Sequence, residues 1–238
     1  FDPPLDCGED TVTRALRLAR EHGPLPPVAV CVTKAIPTES GLGGGSSDAA
    51  GLLRALAASG AGLGEQASWD VARRVGVDTP FFLVVGFARC TGYGEVVEPL
   101  PDLPCRHVVV VRPSVGVASG GAYARLDALP RALRPAPPAP WELSNDFLDV
   151  APGESLGLVR WLLASGAEAA SLTGSGSACF GVFDDGDAAA ACARSALPGT
   201  QAWALTTLGR EASLWTSSKP RRNLRAEATL VSCANMKT

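Results

Sequence analysis

Apolar residues at Val12, Ala15, Leu16 and Ala19 recur at helical spacing and predict a helix within Glu9–His22. Val28 to Val32 is short, β-branched and weakly alternating, and predicts a strand. A glycine-dense segment follows, and a helix is expected from Ser46 or Ser47 to about Ser59, where Gly60 ends it. Glu65 to Val75 carries apolar residues at 67, 71, 72 and 75 and reads as a second helix closed by Gly76. Strands are expected over Phe81–Val85, Ala88–Thr91 and Val96–Leu100. Beyond the break at Pro101–Pro104 the pattern gives a strand over His107–Val111 and a helix over Gly120–Ala128. Residues 130–140 form a proline-rich loop that cannot be regular structure. A helix over Ser155–Ser165, strands over Ala169–Leu172 and Ala178–Phe183, a helix over Asp187–Ser195 and a strand-like run from Trp203 complete the order. Strand and helix alternate without a simple parallel repeat, so the fold class expected is α+β.

The chemistry concentrates in Lys34–Leu53, KAIPTESGLGGGSSDAAGLL. Gly41, Gly43, Gly44 and Gly45 fall within five residues, and Ser46, Ser47 and Asp48 follow. Glycine tolerates positive φ and has no Cβ, so such a loop can turn several N–H groups onto one anion. A helix starting just after it adds its free amides and the positive end of its dipole. The segment therefore reads as a phosphate cradle. It is not a Walker loop, because no lysine follows the glycines. It is not the dinucleotide fingerprint either, because the glycine spacing differs.

Pro37–Ala50, PTESGLGGGSSDAA, resembles the ATP loop of the GHMP kinases. Two further segments are similar to that family in the same order: Gly76-Val-Asp-Thr-Pro-Phe-Phe and Leu172-Thr-Gly-Ser-Gly-Ser-Ala-Cys-Phe-Gly. Ser144-Asn-Asp-Phe is a smaller match, and the resemblance runs from about Asp10 to about Gly209. Within the family, the triple glycine followed by Ser-Ser-Asp-Ala-Ala is most similar to members that phosphorylate the 2-hydroxyl of 4-diphosphocytidyl-2-C-methyl-D-erythritol for isoprenoid synthesis. The resemblance implies a two-lobed fold, with an S5-like N-terminal lobe (incomplete here), a ferredoxin-like C-terminal lobe and the active site between them. The expected boundaries are 1–104 for the first lobe, 105–209 for the second, and a basic, disordered tail over 210–238.

The resemblance also implies roles. Pro37, Thr38, Glu39, Ser40, Gly41, Leu42, Gly43, Gly44, Gly45, Ser46 and Ser47 would hold ATP. Mg²⁺ would neutralise the phosphates, with the hydroxyl of Ser47 as a ligand; simple helix capping is the competing role for Ser46 and Ser47. Asp78 occupies the slot of the catalytic base, where an arbitrary Asp before Thr-Pro would more often make an Asx-turn or cap. Thr173, Gly174, Ser175, Gly176 and Ser177 would approach the substrate, and a plain hairpin connection is the alternative. Lys34 is assigned no catalysis and is expected at the surface. His22 and His107 fit no triad and are expected to be structural or surface residues.

Composition narrows the class. The 238 residues are 46% hydrophobic and 19% charged, a globular composition. The longest apolar run, about eight residues from Phe81, is too short to cross a bilayer. The first residues show no basic-then-apolar run, so no signal segment is expected among them. Seven scattered cysteines include no C-x-x-C pair, which favours a reducing cytoplasm over a zinc site or disulfide framework. Cys31 and Cys179 fall in apolar runs and are expected to pack as small hydrophobes. Residues 210–238 carry a balance of +4 and residues 1–209 one of −7. A nucleic-acid role for that basic end is outweighed by a solvated tail, so the partner expected is a small molecule, with no nucleic acid and no membrane.

The family's opening K-x-N-L-x-L and R-x-D-G-Y-H segments have no match here, and the chain begins at Phe1. Two expectations follow: a shortened record of a working kinase, or a non-catalytic nucleotide-binding protein. A kinase of the same superfamily acting on homoserine, mevalonate or galactose is the alternative enzyme.

Overall fold

The computed structural model describes residues 9–60, 63–130 and 142–213. Most of the proline-rich loop and the tail beyond 213 lie outside them. Among the described residues the chain divides into two units. One runs up to Pro37, through Gly43–Asp102 and from Arg210 onward; the other takes Thr38–Leu42 and Leu103–Gly209.

The first unit is built on four helices: α1 (Thr11–Arg20), α2 (Gly44–Ala58), α3 (Glu65–Val75) and α4 (Thr79–Val84). The Asp10 carboxylate caps α1 by accepting from the N–H groups of Val12 and Thr13. Ala15, Leu18 and Ala19 of α1, Leu53 and Leu56 of α2, and Val71 and Val75 of α3 close one hydrophobic core. A short antiparallel hairpin follows, β1 (Ala88–Thr91) with β2 (Val96–Pro99). The chain returns to this unit at α8 (Arg210–Ser213), so the first four residues of the expected tail are helical. There Arg210 donates from its N–H to Asp102 and from its guanidinium to Phe87 O and Leu100 O.

Two expected strands are corrected in this unit. Phe81–Val85 is mostly helix: a continuous apolar run has no period to separate strand from buried helix. Pro80, in the first turn of α4, pre-sets helical φ. Phe81 and Phe82 are buried and meet edge to face. Val28–Val32 forms no strand, because no described segment of the unit pairs with it as a ladder; only Thr33 makes an isolated bridge. Cys31 on that stretch is exposed rather than packed.

The second unit is a four-stranded antiparallel sheet in the order β4-β5-β3-β6: β3 (His107–Arg112), β4 (Ala169–Leu172), β5 (Cys179–Phe183) and β6 (Gln201–Thr206). With α6 (Gly153–Ala164) before β4 and α7 (Gly186–Arg194) before β6, the chain order is β-α-β-β-α-β, the ferredoxin-like arrangement. Both helices pack on the sheet. Val109, Val111, Leu158, Leu162 and Phe183 fill the core between them. Alternation in the β3 run HVVVVR gives it one face in that core. Helix α5 (Ser119–Asp127) and a 3₁₀ turn over Asp146–Asp149 complete the unit, joined by the edge-to-face pair Tyr123–Phe147.

Candidate functional site

The expected phosphate loop is divided by the unit boundary, and each part has its own support. In the first unit Gly43 takes the left-handed conformation, φ 69°, and α2 begins at Gly44. The sequence expectation of a serine cap is therefore corrected. Ser46 and Ser47 lie inside the first turn, and Asp48 in the second. Glycine supplies the turn that a β-carbon would strain, and this moves the helix start upstream. The Ser47 hydroxyl donates to Gly44 O at 2.8 Å. Thr11 at the head of α1 donates to Gly45 O at 2.8 Å. A Cβ at Gly44 would press Ile36 at 3.1 Å, and one at Gly45 would press the Thr11 hydroxyl at the same distance. These glycines leave room for the chain on either side to approach.

Lys34 is also placed differently from its expectation. It is not a free surface lysine: its ammonium pairs with the Asp48 carboxylate, and the two side chains are 11% and 23% exposed. No local periodicity could show this, since the partners are 14 residues apart on the two limbs of the glycine turn.

Asp78 stands at the N-cap position of α4 without a capping bond from its side chain. Helix α4 packs on α2 and α3. The Arg54 guanidinium of α2 donates to Phe82 O at 2.8 Å, fixing α4 to the helix that starts at the glycines. Burial lowers the pKa of Arg54. The elements that carry Asp78 and Gly43–Ser47 thus belong to one core.

In the second unit Thr38–Leu42 threads between two segments. Glu39 O accepts from Val117 N–H at 3.1 Å, and Ser40 O accepts from Ala178 N–H at 3.0 Å. Gly41, at φ 76°, lies against the turn joining β4 and β5. The Thr173 hydroxyl donates to Gly41 O at 2.5 Å. A Cβ on Gly41 would overlap Thr173 O and lie 2.8 Å from Gly176 O. The structure therefore brings Gly41 to the Thr173–Ser177 turn. That turn closes on itself through Gly176 N–H to Thr173 O, 2.9 Å, with Gly174 and Gly176 at positive φ. Ser175 donates to the Ser119 hydroxyl, and Ser177 O accepts from Ser155. Beside Val117 lies a cavity of about 330 Å³ lined by Gly116, Ala118, Gly121, Arg125 and Pro152; Arg125 is its charged residue.

In the sequence Asn145 stands out only as part of Ser144-Asn-Asp-Phe. Its Oδ1 accepts from Phe147 N–H at 2.9 Å, while its amide donates to Leu172 O at 3.0 Å and Gly174 O at 2.9 Å. Its bonding partners lie 27 and 29 residues on, so spacing gave no sign of them. Among the described residues no group of three or more His, Cys, Asp or Glu is arranged to hold a metal. His22 pairs with Asp70 at the surface, 3.0 Å.

Comparison with known proteins defines the class as a small-molecule kinase of the GHMP type. The model for the GHMP kinases N-terminal domain matches residues 10–86, and that for the GHMP kinases C-terminal domain matches residues 141–197. The chain belongs to the GHMP kinases. It is 38% identical over 207 residues to the 4-diphosphocytidyl-2-C-methyl-D-erythritol kinase of Anaeromyxobacter sp. (strain Fw109-5), covering 81% of this chain and 67% of the relative. It is 40% identical to the protein of the same name from Solidesulfovibrio magneticus, covering 76% and 69%. A crystal structure of 4-(cytidine 5'-diphospho)-2C-methyl-D-erythritol kinase is similar at TM-score 0.71 and 31% identity, covering 85% of this chain and 80% of that one. Homoserine kinase from Cytophaga hutchinsonii, 16% identical at TM-score 0.59 over 88% of this chain and 79% of its own, shares the fold alone.

Proposed function

We infer that this protein transfers the γ-phosphoryl group of ATP to the 2-hydroxyl of 4-diphosphocytidyl-2-C-methyl-D-erythritol. The observation that carries the reading is the 38% identity to a kinase of that name, running through 81% of the chain. No other substrate class is suggested by a relative of comparable identity among those compared above.

The chain's own residues supply the parts of the reaction. The first amides of α2 have no partner within the helix and would hold phosphate oxygens, with Gly41 to Ser47 as the cradle. Gly43 makes the left-handed turn into α2 without the strain a β-carbon would bring, which supports this reading. The Ser47 hydroxyl donates its proton to Gly44 O and keeps its lone pairs, so it can accept a Mg²⁺ ion arriving with the triphosphate. That ion would supply charge neutralisation at the transferred group. Asp78 would take the proton of the 2-hydroxyl, aimed by α4 and the tie from Arg54. Thr173–Ser177 would face the acceptor substrate. We place the reaction in the cytoplasm, where the free cysteines are at home.

A coupled assay of ADP release tests the reading, with the cytidine-linked erythritol set against homoserine, mevalonate and galactose. Turnover with the first and none with the others is expected. Preference for any of the others would replace the proposed substrate.

A further inference from the structure

We propose that Asn145 is a positioning residue for ATP binding: its carboxamide sets the turn that pins Gly41. The proposal rests on the reading of Gly41–Ser47 as the ATP loop. All of its contacts lie within the second unit.

The two carbonyls that Asn145 holds belong to Leu172 and Gly174, the residues on either side of Thr173. Thr173 is the residue that grips Gly41, by its hydroxyl and by the close approach of its carbonyl. Asn145 therefore brackets the contact without touching the phosphate loop. The turn's own bonds, Gly176 N–H to Thr173 O and Thr173 N–H to Ala178 O, close it across its ends but leave the carbonyls of Leu172 and Gly174 to be held from outside. Gly174 and Gly176, both at positive φ, make this backbone adaptable, so an outside tie adds to its definition. The other ties, Ser119 to Ser175 and Ser155 to Ser177, act on the far end of the turn.

The side chain's inventory is matched to the task. Asparagine offers two donors and an acceptor on a short stem. Here the acceptor takes Phe147 N–H, and the amide nitrogen serves both carbonyls. The reversed amide would set oxygen against two carbonyls and nitrogen against an N–H, so the network fixes its orientation. Aspartate keeps the cap but turns a carboxylate toward two carbonyl oxygens. Serine keeps a capping oxygen and loses the carboxamide nitrogen that serves both carbonyls.

The test compares wild type, Asn145→Ser, Asn145→Asp, Thr173→Val and Thr173→Ser. Calorimetry measures binding of a non-hydrolysable ATP analogue, and steady-state kinetics separate KM for ATP from kcat. Asn145→Ser should weaken the analogue about tenfold, with a matching rise in KM for ATP that exceeds any change in kcat, and a lower melting temperature from the two carbonyls left without their donor. Asn145→Asp should weaken it further. Thr173→Val should resemble Asn145→Ser, and Thr173→Ser, which keeps the hydroxyl, should restore binding. The double variant Asn145→Ser/Thr173→Val should fall well short of the product of the single effects, because both act on one strut. Wild-type analogue affinity in Asn145→Ser, or a double variant equal to that product, would overturn the proposal. Failure of the wild type itself to bind the analogue would overturn the ATP reading, and the proposal with it.

Discussion

Lys34 and Asp48 form a largely buried ion pair that joins the chain entering the glycine turn to the helix leaving it. The ammonium lies beside Gly44, at the positive end of α2, where a lysine without an acidic partner would be disfavoured. Asp48, one turn into the helix, compensates for that position. Lys34→Met leaves the carboxylate half-buried and alone. It should cost about 1–3 kcal/mol, between the values for exposed and fully buried pairs. Asp48→Asn should cost a similar amount, and the double variant less than the two together. Urea denaturation of the four proteins measures this; fully additive losses would show that the pair contributes nothing.

Asp78→Asn preserves the size of the side chain at the head of α4 and removes its basicity. A fall in kcat of about 10²–10⁴-fold is expected, with analogue binding retained. Single-turnover kinetics alongside calorimetry separate the two effects. Unchanged turnover would remove Asp78 from the mechanism.

Gly41→Ala puts a methyl group onto Thr173 O at a φ that alanine rarely adopts. A stability loss of about 1–3 kcal/mol is expected, together with weaker ATP binding. Gly51→Ala, on an open face of α2, serves as the control and should leave both unchanged or slightly improved.

The cap of α1 gives a pH signature. Partial burial opposes ionisation of Asp10, but the Thr13 hydroxyl and the N–H groups of Thr13 and Val12 outweigh it and hold its pKa below the ordinary 3.8. A depressed carboxylate contributes its stability fully above the unfolded value and loses it as pH falls through the folded one. Asp10→Asn keeps a cap that does not titrate. Melting curves should therefore show the gap between wild type and variant narrowing as pH drops below about 3.8. A gap that widens on acidification would reverse the sign and refute the account.

Burial pushes the Cys179 thiol up to about 12, and burial also raises Cys192, while Cys31 and Cys105 are exposed. Brief alkylation of the native protein at pH 8 should label Cys31 and Cys105 and spare Cys179 and Cys192. Peptide mapping reads the result, and early labelling of Cys179 would contradict its burial.

Sequence was most informative where structure is local. Helix α3 ends where its apolar positions and Gly76 say it should, and β4 matches its expected span residue for residue. It misled where the deciding partner is remote or the pattern has no period. Phe81–Val84 is uniformly apolar and became helix through Pro80. Val28–Val32 has strand composition but no strand to pair with among the described residues. The contacts that shape the candidate site join Gly41 to Thr173 across 132 residues and Asn145 to Leu172 across 27. Glycine motifs located both loops, because close backbone approach demands glycine whatever the partner. The asparagine that serves them carries no such mark.

Arg210 brings the polypeptide back to the unit it left at Asp102, and Thr38–Leu42 is lent to the other unit on the way out. The described chain thus passes between the units at 37/38, 42/43, 102/103 and 209/210. Neither half could be excised as one uninterrupted fragment. A hybrid assembled from two relatives by a single splice would therefore graft foreign residues into both halves at once.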